Sequence, residues 1–255
     1  MNPKVGIVTT LYNYKRYIPE LAKSILDQTY TNWEWVIVDD ASTDNPEETL
    51  SKLNDSRIHR LWYTVNKGYS VRKNDGIRFL RDCDYFVMID ADDVLTPNSI
   101  QDRLEALQQN PDKLWIHADA LNYELDGSIA TTYIKWIKAK REEFLREGKD
   151  LTKWYHHRLI HSQTVMMRKE FYERLGLYDT KLRFSSDNEL WRRAIRFGTI
   201  PMYIEKPVAI YRVHDDRMSR SRYKRERLVE TKKYIINIVE QRFEEGINFL
   251  NTELL

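Results

Sequence analysis

The sequence predicts an α/β protein with a mainly parallel sheet that becomes mixed in its second half. Three observations predict it. Short apolar runs rich in β-branched and aromatic residues alternate with helical stretches between Val5 and Leu107. The early runs end in clusters of Asp, Asn, Thr and Lys. Past Trp115 the alternation gives way to a hairpin pattern around Asp126-Gly127.

Taken in order, Val5 to Thr9 reads as a strand, followed by a helix whose stripe joins Tyr17, Leu21 and Ile25 with Ile18, Ala22 and Leu26. Trp33 to Val38 is a second strand. After it, Asp44-Asn45-Pro46-Glu47-Glu48 places proline and acids where a helix starts. Ile58 to Tyr63 is a third strand, Ser70 to Leu80 a helix, Tyr85 to Ile89 a buried strand, and Thr96-Pro97 opens a helix carrying Ile100, Leu104 and Leu107. Strands at Leu121 to Leu125 and Ile129 to Ile137 form the hairpin, and Lys138 to Glu147 is a charged helix. Thr164 to Met167 is a strand, Lys169 to Leu175 a helix stopped by Gly176, and Asn188 to Phe197 a helix stopped by Gly198. Two strands, Met202 to Ile204 and Val208 to Val213, precede a long helix from about Arg222 to Leu250 with Val229, Ile236, Val239, Phe243 and Ile247 on one side.

The 255 residues carry no Pro/Gly/Ser-rich linker, so one domain over residues 1–220 with a helical extension over 221–255 is expected. The 41 basic and 39 acidic residues leave a net charge of +2, which excludes a global pull toward nucleic acid or membrane. No apolar run approaches the ~18 residues that span a bilayer. The strand-like Val5-Gly6-Ile7-Val8 leaves no room before it for a signal peptide, and the single cysteine, Cys83, suits a reducing compartment. A cytoplasmic protein is expected. Neither a Gly-x-Gly-x-x-Gly nor a Walker loop is present, which argues against dinucleotide and P-loop enzymes.

The candidate site begins at Asp90-Ala91-Asp92-Asp93, three carboxylates at the end of a buried strand. Ligands of open α/β sheets sit beyond the carboxyl ends of the strands, and Asp-x-Asp suits a hard divalent ion. The competing reading is a polar turn with Asp93 or Thr96 capping the next helix. Asp82-Cys83-Asp84 has the same pattern but enters the strand, on the opposite edge. On the favoured edge lie Thr9-Thr10-Leu11-Tyr12-Asn13, Asp39-Asp40-Ala41-Ser42-Thr43-Asp44, and Asn66-Lys67-Gly68-Tyr69-Ser70 with Lys73-Asn74-Asp75-Gly76.

Together with Asp90-Ala91-Asp92-Asp93, in this order and spacing, these stretches resemble the family-2 inverting glycosyltransferases of the GT-A fold, from roughly Lys4 to Ser219. The resemblance implies a Rossmann-like nucleotide-sugar half over about 1–119 merged with a mixed acceptor half over 120–220. It implies a nucleotide-diphosphate sugar donor, a UDP-sugar being expected, and a carbohydrate or lipid-linked acceptor in polysaccharide or glycoconjugate synthesis.

The implied donor contacts are Thr9, Tyr12, Asp39, Lys73, Arg72, Asp90 and His214. Tyr12 would stack on the base, or else pack on the first helix. Asp39 would accept from the imide N–H, while Asp40 and Asp44 either contact the ligand or orient the turn and cap a helix. The family commonly shows Arg-Asn before the glycine of the third motif; here Lys73-Asn74 stands there with Arg72 one place earlier, leaving open which base reaches the nucleotide. Asp92, with Asp90 directly or through water, would hold Mn²⁺ or Mg²⁺. His214, in Tyr211-Arg212-Val213-His214, either approaches the metal and phosphates or closes a strand.

The family's catalytic base is the second acid of a Glu-Asp pair opening a helix, which here has become Ser186-Asp187. Asp187 is therefore the expected base, the alternatives being Asp187 as a helix cap and Glu189 as the base. His156, His157 and His161 lack a cysteine or acid to complete a zinc site, and Trp154, Tyr155 and His161 are read as acceptor contacts or as a loop held by its own aromatics. The run Arg217, Arg220, Arg222, Lys224, Arg225 and Arg227 suits peripheral contact with an anionic membrane face or contact with a phosphorylated acceptor, or else is a solvated helix face. The terminal helix packs on the domain or on a second copy. The rivals from other classes are a non-catalytic sugar-binding module, supported only by Ser186, and a nucleotidyltransferase, which lacks its glycine-rich phosphate loop here.

Overall fold

The computed structural model describes residues 2–124, 128–130, 139, 142–144, 146–148, 160–183, 185–216 and 224–245. In it, β1 (Val5–Leu11), α1 (Ile18–Leu26), β2 (Trp33–Asp40), α2 (Glu47–Leu50), β3 (Ile58–Tyr63), α3 (Tyr69–Phe79) and β4 (Tyr85–Met88) follow the alternation of the sequence. Next come a two-residue β5 (Val94–Leu95), α4 (Ser99–Gln109), β6 (Trp115–Tyr123) and β7 (Ile129–Ala130). A 3₁₀ turn at Ser162–Thr164 leads into β8 (Met166–Arg168), α5 (Lys169–Leu175), α6 (Ser186–Arg196), β9 (Met202–Arg212) and α7 (Lys224–Glu244).

These strands form one sheet in the order β3-β2-β1-β4-β8-β6-β9-β5, with β7 paired to β6. It is parallel through β3, β2, β1 and β4. β8 then runs antiparallel between β4 and β6, so the two halves share a continuous sheet. Because side chains alternate along a strand, β1 sends Ile7 to one face and Val8 to the other, and β4 does the same with Val87 and Phe86. One face is covered by α1 and α4 through Ile18, Leu21, Ile25, Ile100 and Leu104. The other is covered by α3, α5 and α6 through Ile77, Phe171, Leu190 and Trp191, the last stacked on Trp115 at 4.9 Å. Fully burying each such aliphatic or aromatic side chain is worth about 1.5–3 kcal/mol. Gly76 lets α3 sit this close, since a Cβ there would collide with Val8.

Several expectations change. The strand expected from Leu121 already begins at Trp115, as β6, and the two strands expected after Pro201 are one strand, β9. The β6–β9 ladder shifts register between Ala118 and Ala120, where Asp119 faces Pro207; proline cannot donate to a ladder, which is why the sequence looked broken there. The apolar stripe of α7 runs through Ile235 and Val239 against Leu182, while Ile236 is 48% exposed. The hairpin turn Asp126-Gly127 and the loop residues Trp154, Tyr155, His156 and His157 lie outside the described residues, as do the side chains of the basic run from Arg217 to Arg227. Among the described residues, no helix is long and apolar enough to cross a membrane.

Candidate active site

The parallel strands deliver their polar ends to a cleft of about 540 Å³, walled by Tyr12, Tyr14, Lys73, Asp90, Asp92 and Asp187 among others. The loops at its rim are tied together. Asn13, at φ 58° in the left-handed region that Asn tolerates, accepts from Thr43 N at 2.7 Å and donates its own N–H to Ser42 Oγ at 2.9 Å. Asp44 Oδ2 accepts from Lys15 N at 2.8 Å. Asp44 therefore fixes the loop after β1, and Tyr12 is left 47% exposed at the mouth of the cleft instead of packed on α1.

Asp39 and Asp40 part ways. Asp39 is buried, its Oδ2 accepts from Ser42 N at 3.1 Å, and its Oδ1 has no hydrogen-bond partner. Asp40 is engaged by the chain itself, accepting from Lys67 N at 2.9 Å, Gly68 N at 2.7 Å and Arg72 Nε at 2.6 Å. Arg72 also donates to Asp75 at 3.0 Å and Val65 O at 2.6 Å, with its guanidinium 3.5 Å from the Tyr63 ring centroid. Such a buried, fully occupied arginine braces the loop after β3 and does not reach the cleft. Lys73 does, with Nζ 3.8 Å from Asp90 Oδ1 and flanked by the rings of Tyr69 and Tyr178. Thr9 likewise falls outside the cleft: it is fully buried, its hydroxyl accepting from Trp35 Nε1 at 3.0 Å, and Thr10 lines the cleft in its place.

The three acids after β4 have three environments. Asp90 is partly exposed and accepts from Gln163 Nε2 at 2.6 Å. Asp92 is buried, with Oδ2 2.9 Å from His214 Nε2. Burial, and then the charge of Asp90, push its carboxyl above the usual range, against the pull of His214. Asp93 is buried and accepts from Arg212 N at 2.8 Å, tying the turn to β9; burial and then the charges of Asp92 and Asp90 hold it well above its ordinary value. Asp84, by contrast, accepts from Lys4 N at the opposite edge of the sheet.

His214 sits against Tyr17 at 5.0 Å and edge-on to Tyr14 at 5.6 Å, and Asp216 is secured by Tyr14 Oη and Arg16. No three His, Cys, Asp or Glu side chains form a complete metal cage among the described residues. Asp92 and Asp90 fit a hard divalent ion that takes one or two carboxylates and completes its shell with water and phosphate oxygens. Both side chains line the cleft, where Asp92 is held by His214 and Asp90 is partly exposed.

Also lining the cleft is the start of α6, which begins at Ser186 after Ser185, a residue that is left-handed at φ 60° and offers no side-chain cap. Asp187 is thus inside the first turn and not the cap. Its Oδ2 accepts from Ser162 Oγ and its Oδ1 from Asn188 N at 2.9 Å. Glu189 points away, fully buried between Arg193 at 2.6 Å and Arg242 at 3.1 Å; it cannot reach the cleft as a base. Ser186 is also buried, its hydroxyl hydrogen-bonded to Ser70 Oγ at 2.9 Å and its N–H donating to Tyr69 Oη at 3.0 Å. The change from Glu is therefore absorbed behind the cleft. His161 packs edge-on against Tyr211 at 4.7 Å, and burial lowers its pKa. Ser162 and Gln163 touch both acidic groups and carried no signal in the sequence, being uncharged and far from their partners along the chain.

The model of glycosyl transferase family 2 matches residues 6–176 of the chain. An uncharacterized glycosyltransferase of Rickettsia typhi is 29% identical over 220 residues, covering 84% of this chain, which in turn spans only 65% of that relative. A putative teichuronic acid biosynthesis glycosyltransferase of Bacillus subtilis, TuaG, is 25% identical over 224 residues, covering 87% of this chain and 84% of TuaG. Among solved structures, TarS of S. aureus in complex with UDP-GlcNAc superposes with a TM-score of 0.66 at 16% identity, covering 86% of this chain and 61% of that one. The mannosyltransferase PcManGT of Pyrobaculum calidifontis, in complex with GDP-Man and Mn2+, gives 0.63 at 18% identity, covering 84% and 58%. At these identities the superpositions show the fold, which is GT-A. The family match spans more than half of the sequence and takes in Tyr12, Asp39, Lys73, Asp90 and Asp92: the chain belongs to glycosyl transferase family 2.

Proposed function

We propose that the protein is a metal-dependent inverting glycosyltransferase that moves a sugar from a nucleotide-diphosphate donor, a UDP-sugar in the first instance, to an acceptor hydroxyl. The observation that supports this reading is that Asp90, Asp92 and Asp187 line the same cleft. In this reading Tyr12 stacks on the base, and Lys73 faces the diphosphate. Asp92 and Asp90, with His214 beside them, hold Mn²⁺ or Mg²⁺. The bound ion supplies Lewis-acid stabilisation of the negative charge on the leaving diphosphate. Asp187 accepts the proton of the acceptor hydroxyl as that oxygen bonds to the anomeric carbon and the bond from that carbon to the diphosphate oxygen breaks. Attack opposite the leaving group inverts the configuration.

TarS was solved with UDP-GlcNAc and PcManGT with GDP-Man and Mn2+, which supports a nucleotide-sugar donor and a divalent ion here. The names of TuaG and of the putative colanic acid glycosyltransferase WcaA of Escherichia coli support a role in polysaccharide synthesis. The test is a panel of UDP-, GDP- and dTDP-sugars read by thermal shift with and without Mn²⁺, followed by nucleotide release. A ligand that binds only the folded state raises its stability with concentration, so the cognate donor gives the largest metal-dependent shift. Metal-dependent binding without any nucleotide release would favour a donor-binding module; no shift with any donor would overturn the reading.

A further inference from the structure

The turn Ser162–Thr164 touches both acidic groups of the cleft. Ser162 Oγ donates to Asp187 Oδ2, and Gln163 Nε2 donates to Asp90 Oδ2 at 2.6 Å. A carboxylate only accepts, so Gln163 must turn its NH₂ toward Asp90 and its oxygen the other way. That oxygen meets Nδ1 of His161, which therefore carries its proton there, and the ring of His161 rests on Tyr211. The amide is thus fixed from behind.

The backbone of the turn is held as firmly. Thr164 returns its N–H and its hydroxyl to His161 O at 2.9 and 2.7 Å. Arg103 of α4, fully buried, donates to Gln163 O at 3.3 Å and Val165 O at 3.0 Å while Ser99 anchors its other nitrogens. One rigid segment therefore reaches an acid that follows β4 and an acid that opens α6.

We propose that this turn is a positioning element that sets the two acidic groups against each other, Ser162 orienting Asp187 and Gln163 orienting Asp90. Asp187 has one oxygen on Ser162 and the other on Asn188 N, so rotation of its carboxylate is restrained and its remaining lone pairs stay toward the cleft. Without Ser162 that restraint goes and proton transfer suffers, while donor binding does not. Without Gln163, Asp90 is left with Lys73 at 3.8 Å and swings toward it, so metal and donor binding suffer instead. The inference rests on the transferase reading and adds to it two uncharged residues with separable effects.

The experiment compares wild type, Ser162→Ala, Ser162→Thr and Gln163→Leu by Mn²⁺-stimulated nucleotide release from UDP-GlcNAc and GDP-mannose, and by calorimetric titration of the same donors with Mn²⁺. Ser162→Ala is expected to lower kcat about 10- to 100-fold, the scale on which small misplacements act, with donor Kd within about twofold. Ser162→Thr, which keeps the hydroxyl, recovers most of that loss. Gln163→Leu is expected to raise the Mn²⁺ concentration for half-saturation about tenfold, as loss of an outer partner of a ligand does, and to weaken donor binding in the calorimetric titration. Wild-type kcat in Ser162→Ala, equal losses in the alanine and threonine variants, or an unchanged metal requirement in Gln163→Leu would overturn the positioning role alone. A wild type that releases nucleotide from neither donor, nor from any sugar of the wider panel, overturns the transferase reading and this inference with it.

Discussion

His214 Nε2 lies 2.9 Å from Asp92 Oδ2, joining the segment after β9 to the turn after β4 across 122 residues of sequence. An ion held by Asp92 would find this nitrogen beside it. Asp92→Asn is therefore expected to lower metal-stimulated turnover by at least about 100-fold, because it removes a ligand charge while keeping the shape. His214→Gln is expected to cost about tenfold, mostly in metal requirement. EDTA should silence the wild type and added Mn²⁺ restore it. A Mn²⁺ titration of turnover checks all three; an Asp92→Asn enzyme with the wild-type curve would remove Asp92 from the metal site.

Asp187 and Glu189 are two residues apart on α6 and have different surroundings. Asp187→Asn should lower kcat about 10²- to 10⁴-fold, the usual worth of a positioned base, with donor affinity retained. Glu189→Gln should act on stability, because Arg193 and Arg242 converge on its buried carboxylate. Leaving buried charge uncompensated costs about 3–5 kcal/mol when a pair is broken outright, and the residual hydrogen bonds of a glutamine keep the loss toward the low end. Chemical denaturation together with kcat separates the two; a stable Glu189→Gln enzyme with collapsed turnover would exchange their roles.

Lys73 and Arg72 divide in the same way. Lys73→Met is expected to raise the donor KM about tenfold or more, since it removes the cation that faces Asp90 and the cleft; charge-assisted contacts are worth roughly 1.5–3 kcal/mol each. Arg72→Ala should instead unfasten Asp40 from the loop after β3 and lower the melting temperature. Steady-state kinetics beside thermal melts tests the assignment, and a donor KM that moves more in Arg72→Ala than in a folded Lys73→Met would reverse it.

These pairs also mark where the sequence was legible. β3 and α5 are seen in full from residue pattern, because Ile58–Tyr63 and Lys169–Leu175 have clear ends. The edge on which Asp39, Asp90 and Asp92 gather follows from strand direction alone, as does the exclusion of Asp82-Cys83-Asp84. What pattern could not decide is which of two adjacent residues faces the cleft. Arg72 and Lys73 are about 100° apart on a helix, and only the register of α3 against Asp40 separates them. Thr9 and Thr10 alternate across β1, so an uncertainty of one residue changes which of them reaches the ligand side. Ser162 and Gln163 were invisible for another reason: their partners lie 25 and 73 residues away.

Asp55 gives a pH dependence that is independent of the cleft. It accepts from Arg57 Nη2 at 2.7 Å and from the Arg57 backbone N–H at 2.9 Å, and these contacts draw its pKa from the ordinary 3.8 down to about 2. Arg57 in turn lies over the Trp33 ring at 3.7 Å, just before β3 begins. A folded pKa below the unfolded one means that the folded state binds fewer protons in this window, so stability rises with pH across it. The contribution is complete above the unfolded value near 3.8 and is lost as pH falls toward about 2. Because the pair is partly exposed, screening leaves roughly 1 kcal/mol of it. Asp55→Asn should therefore melt about 2–4 °C below wild type at pH 7, the shift expected per kcal/mol for a chain of this order of length. The gap should begin to narrow below about pH 4 and close as the pH falls toward about 2. A gap of the same size at every pH would show that the carboxylate's charge is not what holds Arg57 in place.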